Sequence, residues 1–182
     1  MPVGVLVPLI VFALLALLFA LVLRRAALLV ARMREADSFR AAVTDLATRI
    51  DISLGGVVER IDSVRRHQLP SDAIADNLEA ATEAVGRYAE EGRALRAPPS
   101  ARVQRDSIVA ELERAGRALE MVVHGAELMT TQPGPARELE AQTSIKRGYL
   151  NLIHAREAIG RLAVEAATPP APTGEVLGRR EL

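Results

Sequence analysis

A chain of 182 residues with 23 basic and 23 acidic side chains has no net formal charge, so no long-range field draws it to nucleic acid. It has no Cys, which excludes disulfides, thiolate nucleophiles and Cys-based zinc sites. With three Phe, two Tyr and no Trp it also lacks the rings to line a base-stacking platform or an aromatic ligand pocket, so a core must come from Leu, Ile, Val and Ala, which predicts an all-α fold.

The first element is Val3 to Leu23, a run of 21 residues with no charge and nothing more polar than Gly4 and Pro8. At about 1.5 Å per residue it reaches roughly 30 Å, the thickness of a bilayer's hydrocarbon core, and residues 3–23 read as a single transmembrane helix. A cleaved signal fits poorly. Its positive charge belongs before the apolar run, whereas Arg24 and Arg25 follow it, and Arg25-Ala26-Ala27 puts Arg where a small residue is wanted. Pro8 falls in the first turns, where a missing N–H is best tolerated.

Residues 24–34 continue as a basic juxtamembrane helix in which Arg24, Arg25, Arg32 and Arg34 flank the span before the first acid, Glu35. The positive-inside bias then predicts a single-pass inner-membrane protein with its N-terminus outside and its C-terminal body cytoplasmic. The lipid bilayer is thus one expected partner.

Apolar residues next recur at Phe39, Val43, Leu46, Ile50, Leu54, Val57, Ile61 and Val64, one face of a helix from about 35 to 69 that continues the span. Gly55 and Gly56 are its weak point, since Gly costs about 1 kcal/mol relative to Ala in a helix. Close approach of a neighbouring helix is the first reading there, and a signalling hinge the second. Leu69-Pro70-Ser71-Asp72 ends this helix and starts the next, with Ser71 or Asp72 as cap.

The second helix, about 71–96, carries Ile74, Leu78, Ala81, Val85, Tyr88 and Leu95 on one face, with Gly92 in the seam. Its outer face is acidic, with Asp72, Asp76, Glu79, Glu83, Glu90 and Glu91, which reads first as a solvated surface and second as a metal or basic-partner surface. Ala97-Pro98-Pro99-Ser100 introduces a third helix, about 100–130, with Ile108, Leu112, Ala115, Leu119, Val122, Ala126 and Met129 inward. After a loop around Gln132-Pro133-Gly134, the fourth, 135–167, turns Ile145, Gly148, Leu152, Ala155, Ile159, Leu162 and Ala166 inward, and Asn151 is placed to bond across to a neighbour. Short, Pro-marked connections predict an antiparallel up-down four-helix bundle over 35–167, and residues 168–182 read as a disordered tail. Acid-to-Arg pairs at i, i+4 are expected for Asp45–Arg49, Asp62–Arg66, Glu83–Arg87, Glu113–Arg117 and Glu157–Arg161.

Chemistry is sparse. No Glu-x-x-His pair faces inward for a di-metal site, no Gly-rich phosphate loop follows a strand, and no G-x-S-x-G occurs. Of the three His residues, His67 lies beside a turn while His124 and His154 fall on outer positions. Ile153-His154-Ala155-Arg156-Glu157 resembles a phosphotransfer helix with His154 as phosphoacceptor, but Glu157-Ala158 stands where such helices carry Lys-Gly. An N-out span followed by long cytoplasmic helices is similar in layout to the LemA-type membrane proteins. The local echo is Arg49-Ile50-Asp51-Ile52-Ser53-Leu54, where that family carries an Ile-Asp-Val segment; Gly55-Gly56-Val57-Val58 then departs from its pattern, so the resemblance implies a layout and no site. The expectation is a membrane-anchored scaffold or interaction module without catalysis, cofactor, metal or small-molecule substrate, its partner another protein or a second copy through coiled-coil pairing. The alternative is a sensory or phosphotransfer module coupled to the membrane helix.

Overall fold

The computed structural model describes residues 3–131 and 134–168, with side chains from 12 to 130 and from 134 to 168. Its helices are α1 (Val3–Arg65), α2 (Ala75–Ala94), α3 (Arg102–Thr131) and α4 (Pro135–Ala167), and 3-10 turns at Ser71–Ile74 and Pro99–Ala101 lead into α2 and α3. No strand occurs among the described residues. The tail expectation, apart from Thr168, lies outside them.

Nothing between Leu23 and Arg65 breaks the backbone ladder, so the apolar run and the first amphipathic segment are one helix of 63 residues, about 95 Å long. The chain's end of α1 differs from the expected stop at 69. His67 takes a left-handed conformation (φ 57°), which lets its N–H reach the Val64 carbonyl at 2.9 Å and the Gln68 N–H reach back to Ser63 at 2.8 Å. These two bonds are a Schellman closure, normally built on Gly at the left-handed position, and a His there gives no warning in the pattern.

The turn that follows also departs from expectation. Neither Ser71 nor Asp72 caps through its side chain; the 3-10 turn supplies the closure instead, with Ala73 N–H donating to the Pro70 carbonyl at 3.2 Å. Ala101 N–H does the same to Pro98 at 2.8 Å before α3. A 3-10 turn tightens the first bonds to i→i+3, so fewer donors are left for a side-chain cap.

One apolar cluster draws on all four helices, with Leu46, Ile50, Ile61, Leu112, Leu119 and Leu152 among its fully buried members. Each removes from water an area worth about 1.5–3 kcal/mol. No polar or charged side chain is buried among the described residues. The expected stripes recur with small rotations: Val58, at 8% exposure, takes the inward place given to Val57, and Ala89 and Ala163 lie deeper than Tyr88 and Leu162.

Cross-helix pairs rise on one helix as they fall on the next. Between α1 and α2 these are Arg49 with Glu91, Ser53 with Tyr88, and Arg60 with Asn77. Between α3 and α4 they are Gln104 with Leu162, Arg114 with Asn151, and Ser144 with Met121. The Arg114 bond to Asn151, long at 3.4 Å, is the cross-helix contact that Asn151 was placed to make.

The α3–α4 seam is the most extensive, and it is built on small residues. A methyl group on Gly148 would lie 2.6 Å from the Ala118 carbonyl oxygen, and one on Gly125 would lie 2.8 Å from that of Ala141. Ala141, Gly148 and Ala155 recur every seven residues along α4, all buried, so two helix backbones meet with almost nothing between them.

Candidate functional site

From Phe12 to Arg34 every side chain of α1 is exposed, including Phe12 at 73% and Met33 at 66%. No other described segment covers this part, and the helix is long and apolar enough to cross a membrane. At about 100° per residue, Arg24, Arg25, Arg32 and Arg34 point within one half of the helix circumference, opposite Ala26, Leu29, Val30 and Met33. The collar is therefore two-faced: guanidinium groups on one side able to reach phosphates, an apolar strip on the other.

Gly55 and Gly56 sit inside an unbroken helix. A methyl group on Gly55 would meet only the flexible guanidinium of Arg156, at 3.4 Å, and one on Gly56 would meet nothing within 4 Å. The close helix approach expected there is made at Gly125 and Gly148 instead. Small side chains repeating along both α3 and α4 were the signal for it.

Two polar networks tie α1 to its neighbours. Arg49 grips Glu91 of α2 through both terminal nitrogens, one at 3.1 Å, and also holds Asp45 at 2.9 Å. Its guanidinium lies 5.6 Å from the Tyr88 ring, whose hydroxyl is 2.9 Å from Ser53. Hydrogen bonding to Glu91 is the main cause that raises the Arg49 pKa, so this guanidinium is charged at any working pH.

At the other end of the body Asp62 takes Arg65 at 2.7 Å and Arg66 at 2.8 Å, and Arg65 lies 5.2 Å over the Tyr149 ring of α4. The Arg65 hydrogen bond, then the charges of Arg66 and Arg65 and a smaller effect of the nearby Tyr149 hydroxyl, hold the Asp62 carboxyl below its ordinary range, outweighing its partial desolvation. Arg156 of α4 bonds Asp51 of α1 at 2.6 Å.

Of the five expected i, i+4 pairs, Asp45–Arg49, Asp62–Arg66 and Glu83–Arg87 form. Glu113 instead takes Arg93 of α2 at 2.6 Å, a cross-helix contact that raises the Arg93 pKa and that no single-helix pattern contains.

The His residues do not converge. His154 is exposed on α4, His124 is exposed on α3, and His67 serves the turn after α1. Among the described residues no three His, Asp or Glu side chains are grouped closely enough to hold a metal ion.

A groove of about 880 Å³ lies between the start of α2 and the end of α3, and sequence reasoning missed it. Its lining includes the apolar Ala75, Leu78, Val123 and Ala126, with Asp72, Glu79 and Glu83 on the α2 side and Glu120 and Glu127 on α3. Farther along the same pair of helices a methyl on Gly92 would be 3.2 Å from the Val109 side chain.

No family model, curated protein or solved structure matches the chain, so no role comes to it from a relative.

Proposed function

We propose that this chain is a single-pass inner-membrane protein whose residues 3–23 cross the bilayer with the N-terminus outside. Residues 35–167 then form a cytoplasmic, antiparallel up-down four-helix bundle that serves as a scaffold or interaction module without catalytic activity. The observation that carries the reading is the continuity of α1: one helix joins an uncovered apolar segment to a fully packed body. A rod of that kind sets the body at a defined height and angle from the bilayer, where a flexible linker would leave both free. The collar of Arg24, Arg25, Arg32 and Arg34 supports the orientation, because positive flanks are retained on the cytoplasmic side. The opposed pairings of α1 with α2 and of α3 with α4 support the up-down arrangement.

Topology is tested with one thiol. The chain has no Cys, and Gly134 is exposed in extended backbone with nothing within 4 Å, so Gly134→Cys introduces a single reporter beyond the end of α3. It should resist a membrane-impermeant maleimide on intact cells and react once they are permeabilised; labelling of intact cells would overturn the orientation. A phosphoryl label on the purified chain that disappears in His154→Gln would replace the scaffold reading by phosphotransfer.

A further inference from the structure

We infer that the groove between α2 and α3 is a docking site for a basic amphipathic helix of a partner protein. The inference deepens the interaction-module reading and rests on it.

The groove is apolar where it is deep and acidic where it is shallow. Leu78 and Val123 lie on its floor, and five carboxylates line its edges with no Arg or Lys among the lining residues, in a chain whose acids and bases are equal in number. Elsewhere on the body acids are commonly held by Arg, as Asp51, Asp62, Glu91 and Glu113 are. Asp72, Glu79 and Glu120 form no ion pair among the described residues. Glu83 is held by Arg87, and Asp72, Glu79 and Glu120 leave negative charge on both edges.

The spacing says what kind of cation. Glu120 and Glu127 on α3 are seven residues apart, about 10.5 Å or two helical turns, and on the other edge Asp72 and Glu79 are also seven residues apart, Asp72 in the 3-10 turn that leads into α2. The carboxylates are too scattered to surround one metal ion, and they match a ligand whose positive charges are themselves spread along a helix. A docked helix with an apolar stripe would fill the floor and present Lys or Arg at seven-residue intervals on both flanks, the arrangement by which flanking charges select partners in coiled coils. From Ser71 to Glu83 the groove runs about 18 Å, room for roughly 12 residues of helix.

The test is selection of ligands from a displayed library of helical peptides about 14 residues long, using the full chain in detergent micelles. The expected winners carry an apolar stripe flanked by Lys or Arg at seven-residue spacing. They should bind at least tenfold more weakly to Glu79→Lys combined with Glu120→Lys, and equally to Glu157→Lys, an exposed change outside the groove. Both groove positions are exposed, and a circular-dichroism melt like that of the parent confirms that they leave the fold intact. Winners that are acidic or uncharged, or no enrichment at all, would overturn the inference. So would basic winners indifferent to the Glu79 and Glu120 changes; those would bind another face and leave the wider interaction reading standing.

Discussion

Two Gly→Ala substitutions with opposite expected signs put the packing argument at risk. At Gly148 the new methyl would sit 2.6 Å from the Ala118 carbonyl oxygen, 2.6 Å from the Val122 Cγ2 and 3.2 Å from the Val122 nitrogen. Ordinary carbon contacts begin near 3.5 Å, so α3 and α4 would have to part by several tenths of an ångström along their longest seam. Two of the obstacles are helix backbone, which has no rotamer to move, and overpacking of this kind costs about 1–3 kcal/mol. Against it stands the gain of about 1 kcal/mol from replacing Gly by Ala inside a helix. The expected net loss is about 0–2 kcal/mol, toward the upper end because the backbone obstacles cannot move aside. At Gly56 nothing lies within 4 Å, so only the propensity gain acts and the chain should become more stable by about 1 kcal/mol. For a body of this size 1 kcal/mol moves Tm by roughly 3–4 °C. Thermal melts of the full chain in detergent, followed by circular dichroism at 222 nm, should thus separate the two variants on either side of the parent. If Gly148→Ala raised Tm as Gly56→Ala does, the close α3–α4 approach would be refuted. If Gly56→Ala instead lowered Tm, a packing partner for Gly56 would have to exist.

The turn after α1 makes a second prediction: because His67 holds φ 57° without the freedom of Gly, His67→Gly should stabilise the chain by about 1 kcal/mol, and an unchanged or lowered Tm would refute the left-handed closure. Asp62 gives a pH signature. Its carboxyl is depressed by Arg65, Arg66 and Tyr149, so its contribution to stability is complete above the unfolded value of about 3.9 and is lost as pH falls through the lower folded value. The Tm difference between the parent and Asp62→Asn should be constant near neutrality and close up below about pH 4; a gap that widened in acid would contradict the sign.

Much of the body is legible in one dimension. Steps of three and four through Phe39 to Val64, Ile74 to Val85, Ile108 to Val122 and Ile145 to Ile159 mark helical faces, and those residues are the buried ones, Val57 excepted. Pro70, Pro98 and Pro135 mark where helices cannot simply continue. These features are local: the period of a stripe and the missing N–H of Pro belong to the segment that carries them. The apolar length of residues 3–23 is likewise a sum over one segment, and so is the absence of any break before Arg65.

What lies between helices is decided otherwise. Four seam or helix glycines look alike in the chain, yet Gly125 and Gly148 are pressed against backbone while Gly55 and Gly56 are not, because that depends on how near the neighbouring axis passes. Val58 displaces Val57 by a rotation of α1 that its packing against α2 and α4 defines. Glu113 prefers Arg93 of another helix to Arg117 of its own for the same reason. The acids of α2 show in sequence as one solvated face or a basic-partner surface; only the packing of α2 beside α3 brings Asp72, Glu79 and Glu83 to the same groove as Glu120 and Glu127. The sequence by itself determined the helices, their inward stripes and the apolar reach of α1. The tertiary structure alone decided which backbones touch and where a groove is left open, since distances between axes arise from the whole set of contacts and from no single helix.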